Sequence, residues 1–306
     1  MASSLVIQDL RRWGPDQNVP PPSLTDSQAY CRRLAQAQYE NFPVVTWMLP
    51  RALRQHFYNV YAFCRWADDL GDESGSPAEA SRLLGWWRAE LQACYQGQLR
   101  HPVFVALRPT IDRFQIPARP FEDLISAFEQ DQQVRHYDTF DQLLDYCRRS
   151  ANPVGRIVLM LAEQATPENL IWSDSICTGL QLANFWQDVA RDAEIGRIYL
   201  PVSDRQTFGY TDAQFAEHHS TPEFQALLKF EVDRARDFLL QGKPLIRNVP
   251  GRLRIDFDLF LQGGVLILDA IEQVDYQVWE RRPVLRKSDF AKAALRSLWR
   301  CCLGGR

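Results

Sequence analysis

From about Thr25 onward, apolar residues recur at three- and four-residue steps, and alternating β-branched runs are scarce. That pattern predicts helices along nearly the whole chain. Breaks are expected at Pro43, Pro50, Gly71–Pro77, Gly97–Pro102, Pro117–Pro120, Asn152–Pro153, Thr166–Pro167, Gly196–Pro201, Pro222, Pro244–Gly251 and Pro283. The helices between them would run about 12–25 residues, a length suited to a bundle. Residues 1–23 read as an irregular arm, Pro-rich over Gly14–Ser23. Residues 24–290 read as one domain, because no linker is long or biased enough to divide them. Residues 291–306 read as a basic peripheral end.

Two of the predicted helices carry a polar stripe on an otherwise apolar surface. The first is His56–Glu73, HFYNVYAFCRWADDLGDE. Asp68 and Asp72 lie about 40° apart on the helical wheel, with Tyr61 and Arg65 on or beside the same arc. Val60, Phe63 and Ala67 occupy the other side. A helix this apolar is expected to be buried, which would take two carboxylates into the interior. The second is Ser175–Asp192, SICTGLQLANFWQDVARD. Gln181, Asn184, Asp188, Arg191 and Asp192 fall within about 100° of one another. Leu182, Phe185, Trp186 and Val189 fill the remainder.

Read alone, each stripe is equally a solvated helix face. Together they suggest more, because both carry D-x-x-x-D and both are backed by aromatics. Facing each other, they would form an oxygen-rich cage. Oxygen ligands without His or Cys suit Mg²⁺ rather than Zn²⁺. Mg²⁺ commonly bridges a few carboxylates to phosphate, so a diphosphate ligand is expected, with the metal easing its departure. Arg65 beside the first stripe and Arg197 just after the second would add positive charge.

Composition narrows the field. A net charge of −3 leaves no electrostatic footprint for nucleic acid. Seven cysteines without a CxxC pair argue against a zinc knuckle or redox motif and fit a reducing cytosol. No signal peptide or membrane-spanning stretch is expected. The expected location is cytoplasmic, with peripheral contact at the inner membrane surface left open. Glu-x-x-His pairs are absent, which sets aside a di-iron helical bundle. No G-x-G-x-x-G fingerprint occurs, and NADPH is not expected.

Tyr61–Asp72 (YAFCRWADDLGD) and Gln181–Pro201 (QLANFWQDVARDAEIGRIYLP) resemble the two aspartate-rich motifs of squalene and phytoene synthases. The likeness extends over roughly Leu24–Leu285, including Leu49-Pro50, Tyr146–Gly155 and Gly263 through Pro283. It implies the all-α isoprenoid synthase fold, a helical bundle around a central cavity. It further implies that Asp68, Asp72, Asn184 and Asp188 hold two or three Mg²⁺ ions, with Asp192 in support. Tyr61, Arg65 and Gln181 would meet the substrate diphosphate.

Within that family, Glu40–Val44 (ENFPV) and Tyr146–Gly155 (YCRRSANPVG) look like strings of bacterial hydroxysqualene synthases. Asn41 and Phe42 are therefore expected at the substrate. Phe42, Phe63, Phe185 and Trp186 are candidates to line an apolar chamber, although each taken singly reads as plain core. Arg148 stands where other members carry a Tyr proposed to assist the first ionisation. It is expected to be catalytic, helping with Asn152 to admit or orient water. The activity implied is ionisation of presqualene diphosphate and water capture to give hydroxysqualene, alongside a partner that supplies presqualene diphosphate. The alternatives are head-to-head condensation of two prenyl diphosphates and a non-catalytic assembly relative with the same fold.

Overall fold

A computed structural model describes residues 4–38, 51–251 and 253–285. Asn41, Phe42, the expected breaks at Pro43 and Pro50, and residues 291–306 lie outside them. Among the described residues there is no β-strand, only an isolated parallel bridge between His136 and Ile198. No helix among them is long and apolar enough to cross a membrane. The chain gathers into two compact units, residues 1–133 with 156–165, and 134–155 with 166–306.

The first unit contains α1 (Leu5–Trp13), α2 (Leu24–Gln38), α3 (Arg51–Asp72), α4 (Pro77–Tyr95), α5 (Pro102–Phe114) and α6 (Arg119–Gln130). Residues 5–13 are thus helical, where an irregular arm is expected from the sequence. Ser4 caps α1 by accepting from the Ile7 amide, and Val6 is fully buried. The stretch from Gly14 to Ser23 lacks regular structure, as its prolines predict. Pro77 and Pro102 stand in the first turns of α4 and α5, where a missing N–H costs nothing, behind the caps Ser76 and His101.

The core of this unit is aromatic. Phe63, Trp66, Trp87, Phe104 and Phe121 are all fully buried. The Phe63 ring lies 4.8 Å from Phe121 and 5.8 Å from Trp87. Burying side chains of this size contributes about 1.5–3 kcal/mol each, so α3 is anchored by this face. Phe63 is therefore core packing, the plainer of the two readings open to it from the sequence.

The second unit contains α7 (Phe140–Ser150), α9 (Pro167–Gln187), α10 (Val189–Glu194), α11 (Val202–Thr207), α12 (Asp212–Ala216), α13 (Pro222–Gly242), α14 (Pro244–Asn248) and α15 (Leu253–Gln273). Between α7 and α9 runs α8 (Asn152–Leu161), whose residues are divided between the units. Several of these helices are shorter than the 12–25 residues expected. Thr166-Pro167 and Thr221-Pro222 start α9 and α13 as cap and first-turn proline.

α9 packs on α13 and α15 through glycines. A Cβ on Gly179 would meet the Leu239 side chain at 2.8 Å, and one on Gly242 would meet the Trp172 carbonyl oxygen at 2.6 Å. α7 is held at its first residue, where Arg234 lies 3.8 Å over the Phe140 ring and 2.8 Å from Asp204. Glu231, fully buried beside Arg234, has its carboxyl pushed up to about 9 by burial.

Candidate functional site

α3 presents the first stripe on its open side. Tyr61, Arg65 and Asp68 are half-buried and Asp72 is exposed, while Ala62, Phe63, Trp66, Ala67 and Leu70 are buried. The expected grouping of 61, 65, 68 and 72 therefore holds. The expected descent of Asp68 and Asp72 into the interior does not, because the apolar side of α3 packs inward and leaves their arc outward.

The buried carboxylate is their neighbour Asp69, 1% exposed. One residue further round the helix, it shares the face of Trp66 and Ala62. Arg65 reaches back to Asp69, stands 3.3 Å from Asp68 and comes within 3.9 Å of Glu73. Burial raises the Asp69 carboxyl above the usual carboxylate range, offset in part by Ser4 and Arg65. Glu73 accepts from the Ser4 amide at 3.0 Å, which ties α1 to the end of α3.

The second stripe lies on α9 and α10. Asn184 is exposed and Gln181, Asp188 and Asp192 are half-buried, against buried Leu182, Ala183, Phe185, Trp186 and Val189. The predicted unbroken helix over Ser175–Asp192 is interrupted at Asp188, whose φ of −106° and ψ of 15° separate α9 from α10. Amide bonds still run across the break, from Asp188 to Asn184 and from Asp192 to Asp188, so the chain bends there without unravelling.

At the bend Arg282 grips Asp188 with two bonds, Nε to Oδ1 at 2.5 Å and a terminal nitrogen to Oδ2 at 3.2 Å. The Gln187 amide donates to the Pro283 carbonyl at 2.7 Å. Asp69 had a sequence signal, a carboxylate on the apolar side of the wheel. Arg282 had none, because its partner lies 94 residues away.

Gly196, at φ 73°, turns the chain behind α10, and the Arg197 amide returns to the Asp192 carbonyl at 2.8 Å. Asp192 and Arg197 line one small recess together with Phe185, Trp186, Tyr199 and Phe215. Phe185 and Tyr199 stack with centroids 3.8 Å apart. The structure thus gathers Phe185, Trp186, Asp192 and Arg197 in one place.

Arg148 lies on the exposed side of α7, 4.0 Å from Asp145. Asn152 is buried and accepts from the Thr178 hydroxyl at 3.1 Å, so it braces the packing of α8 against α9. Within either unit alone, the described residues bring no three His, Cys, Asp or Glu side chains around one point.

The donors of the two stripes suit a hard cation. Asp68, Asp72, Asn184, Asp188 and Asp192 offer only oxygen, from side chains on the less buried faces of anchored helices. Arg65 and Arg197 supply fixed positive charge in the same stretches, the combination a diphosphate requires.

Comparison with known proteins decides the wider assignment. The family model for squalene/phytoene synthase matches residues 35–289. The chain belongs to this family. It is 31% identical to a phytoene synthase from Arthrospira platensis, over 86% of this chain and 89% of that protein. It is 31% identical to a hydroxysqualene synthase from Sinorhizobium fredii, over 77% and 80%. The crystal structure of squalene synthase HpnC from Alicyclobacillus acidocaldarius matches with a TM-score of 0.80 and 42% identity, covering 83% of this chain and 96% of that one. The fold is that of the isoprenoid synthases, all-α as the helical periodicity predicts. Squalene/phytoene synthases process prenyl diphosphates, so this member is an enzyme with an isoprenoid diphosphate substrate.

Proposed function

We propose that this squalene/phytoene synthase is a hydroxysqualene synthase, converting presqualene diphosphate and water into hydroxysqualene and diphosphate. The observation that carries the reading is the 31% identity with a hydroxysqualene synthase over 77% of the chain, and the 42% identity with a squalene synthase supports the squalene side of the family. Tyr61, Arg65, Gln181 and Arg197 orient the diphosphate. When bound by Asp68, Asp72, Asn184, Asp188 and Asp192, Mg²⁺ supplies positive charge to the leaving group.

The carbon–oxygen bond breaks and its electron pair leaves with diphosphate. The cyclopropylcarbinyl cation rearranges to an allylic cation, beside aromatic faces such as Phe185 and Trp186 that favour positive charge. Water adds through oxygen, and its proton passes to the departed diphosphate. Arg148 helps admit or orient that water, and Asn41 and Phe42 meet the substrate. No NADPH is consumed, and a separate enzyme supplies presqualene diphosphate in the cytoplasm or at the membrane surface.

Incubation with presqualene diphosphate and Mg²⁺ tests the reading. Hydroxysqualene is the expected product, with or without NADPH. Squalene formed only with NADPH would count against it.

Similarity to phytoene synthase over 86% of the chain favours a second reading, head-to-head condensation of two prenyl diphosphates. Consumption of farnesyl diphosphate by the isolated chain would support that alternative.

A further inference from the structure

We propose that Arg282 is a positioning residue for Asp188, holding its carboxylate at the helix bend in the orientation that takes up a divalent cation. This rests on the reading above that Asp188 is a metal ligand. The Arg282 fork lies on both oxygens of Asp188, and the same guanidinium approaches the Gln187 side-chain oxygen at 3.5 Å. A carboxylate offers about four lone-pair sites, and a fork uses one on each oxygen. One site on each oxygen therefore stays available to a cation while Arg282 fixes the plane of the group.

Arg282 is itself held by a strap. Upstream, Glu280 accepts from the Ser220 amide at 2.8 Å and the Ser220 hydroxyl at 2.7 Å, and pairs with His219 at 2.8 Å. Trp279 stacks on His218 with centroids 4.8 Å apart and meets Phe215 edge-on. Downstream, Pro283 is fastened to Gln187. An arginine anchored on both sides gives up little freedom in holding its partner, unlike an ordinary surface ion pair. Arg191, 65% exposed and 4.0 Å from Asp188, has no such support among the described residues and serves as a comparison. Partners that orient ligating carboxylates typically govern metal affinity by about 10–100-fold.

The test is Mn²⁺ binding to the full chain without substrate, followed by electron paramagnetic resonance, Mn²⁺ sharing the oxygen preference of Mg²⁺. Arg282→Ala is expected to weaken binding about ten-fold, and Arg282→Lys to recover part of the loss. Glu280→Gln, remote from Asp188, is expected to weaken it to a smaller degree, and Arg191→Ala to leave it unchanged. In turnover, Arg282→Ala should raise the Mg²⁺ concentration needed for half-maximal rate and leave kcat at saturating Mg²⁺ within about two-fold. Unchanged binding in both Arg282 variants overturns the proposal, and tighter binding overturns it by making Arg282 a competitor of the metal. A wild-type chain that binds no Mn²⁺, or an Asp188→Asn chain that binds it equally well, removes the ligand reading itself.

Discussion

Arg65 turns its guanidinium along α3 to Asp69, a carboxylate 1% exposed, while Asp68 on the open side stands 3.3 Å away. The residue between the two prominent aspartates of the motif is thus an anchor for the motif's own arginine. Replacing it frees the guanidinium to collapse onto Asp68 or Glu73. Asp69→Asn is expected to weaken binding of inorganic diphosphate several-fold, measured by calorimetry. Arg65→Ala should weaken it at least as much.

Asp68 and Asp188 supply charge that an amide cannot. Asp68→Asn and Asp188→Asn should each nearly abolish diphosphate release from presqualene diphosphate and leave the circular dichroism spectrum intact. Rates near wild type in either variant would mean that the stripes are not the ion site.

His101 gives stability a pH dependence. Its Nδ1 accepts from the Val103 amide at 3.2 Å, so the neutral ring carries its proton on Nε2, which has no partner among the described residues; the ring lies among Trp66, Trp86 and Trp87. Burial holds the imidazole well below its ordinary value. As pH falls below about 6.5, the unfolded chain binds a proton that the folded chain refuses. The contribution is complete above that pH and is lost below it, by up to about 1.4 kcal/mol per pH unit. Urea denaturation between pH 5 and 8 should show this loss, and His101→Asn, which retains a capping side chain, should flatten it.

Much of the local structure around the candidate site was legible before the fold was known. The 61, 65, 68, 72 spacing is a property of one helix, and apolar neighbours on the remaining face fix which way that helix turns. Pro77, Pro102, Pro167 and Pro222 marked helix starts for the same local reason, a first turn that has no need of their N–H. What escaped was tertiary. The bend at Asp188 depends on a tail residue 94 positions on, and nothing in the local pattern interrupts the helix there. α1 was hidden by the prolines beside it, although Ser4 followed by Val6, Leu10 and Trp13 carries both a cap and helical spacing. The open attitude of Asp68 and Asp72 was misjudged because an apolar helix was expected to bury every face.

Packing around α9 allows a paired stability test. A methyl at Gly242 would meet the Trp172 carbonyl oxygen at 2.6 Å and the Ile176 amide nitrogen at 3.0 Å, both backbone atoms. Gly242→Ala should cost about 1–3 kcal/mol. Gly263, inside α15, has open space where its Cβ would stand. Gly263→Ala should stabilise by about 0.4–1 kcal/mol. Thermal denaturation of the two variants checks both signs.

Incubation of the purified chain with presqualene diphosphate and Mg²⁺ in ¹⁸O-labelled water tests the account most directly. The expected product is hydroxysqualene carrying one labelled hydroxyl, released together with diphosphate and independent of NADPH. An unlabelled or hydroxyl-free product, or no reaction with presqualene diphosphate alongside rapid consumption of farnesyl diphosphate, would contradict it.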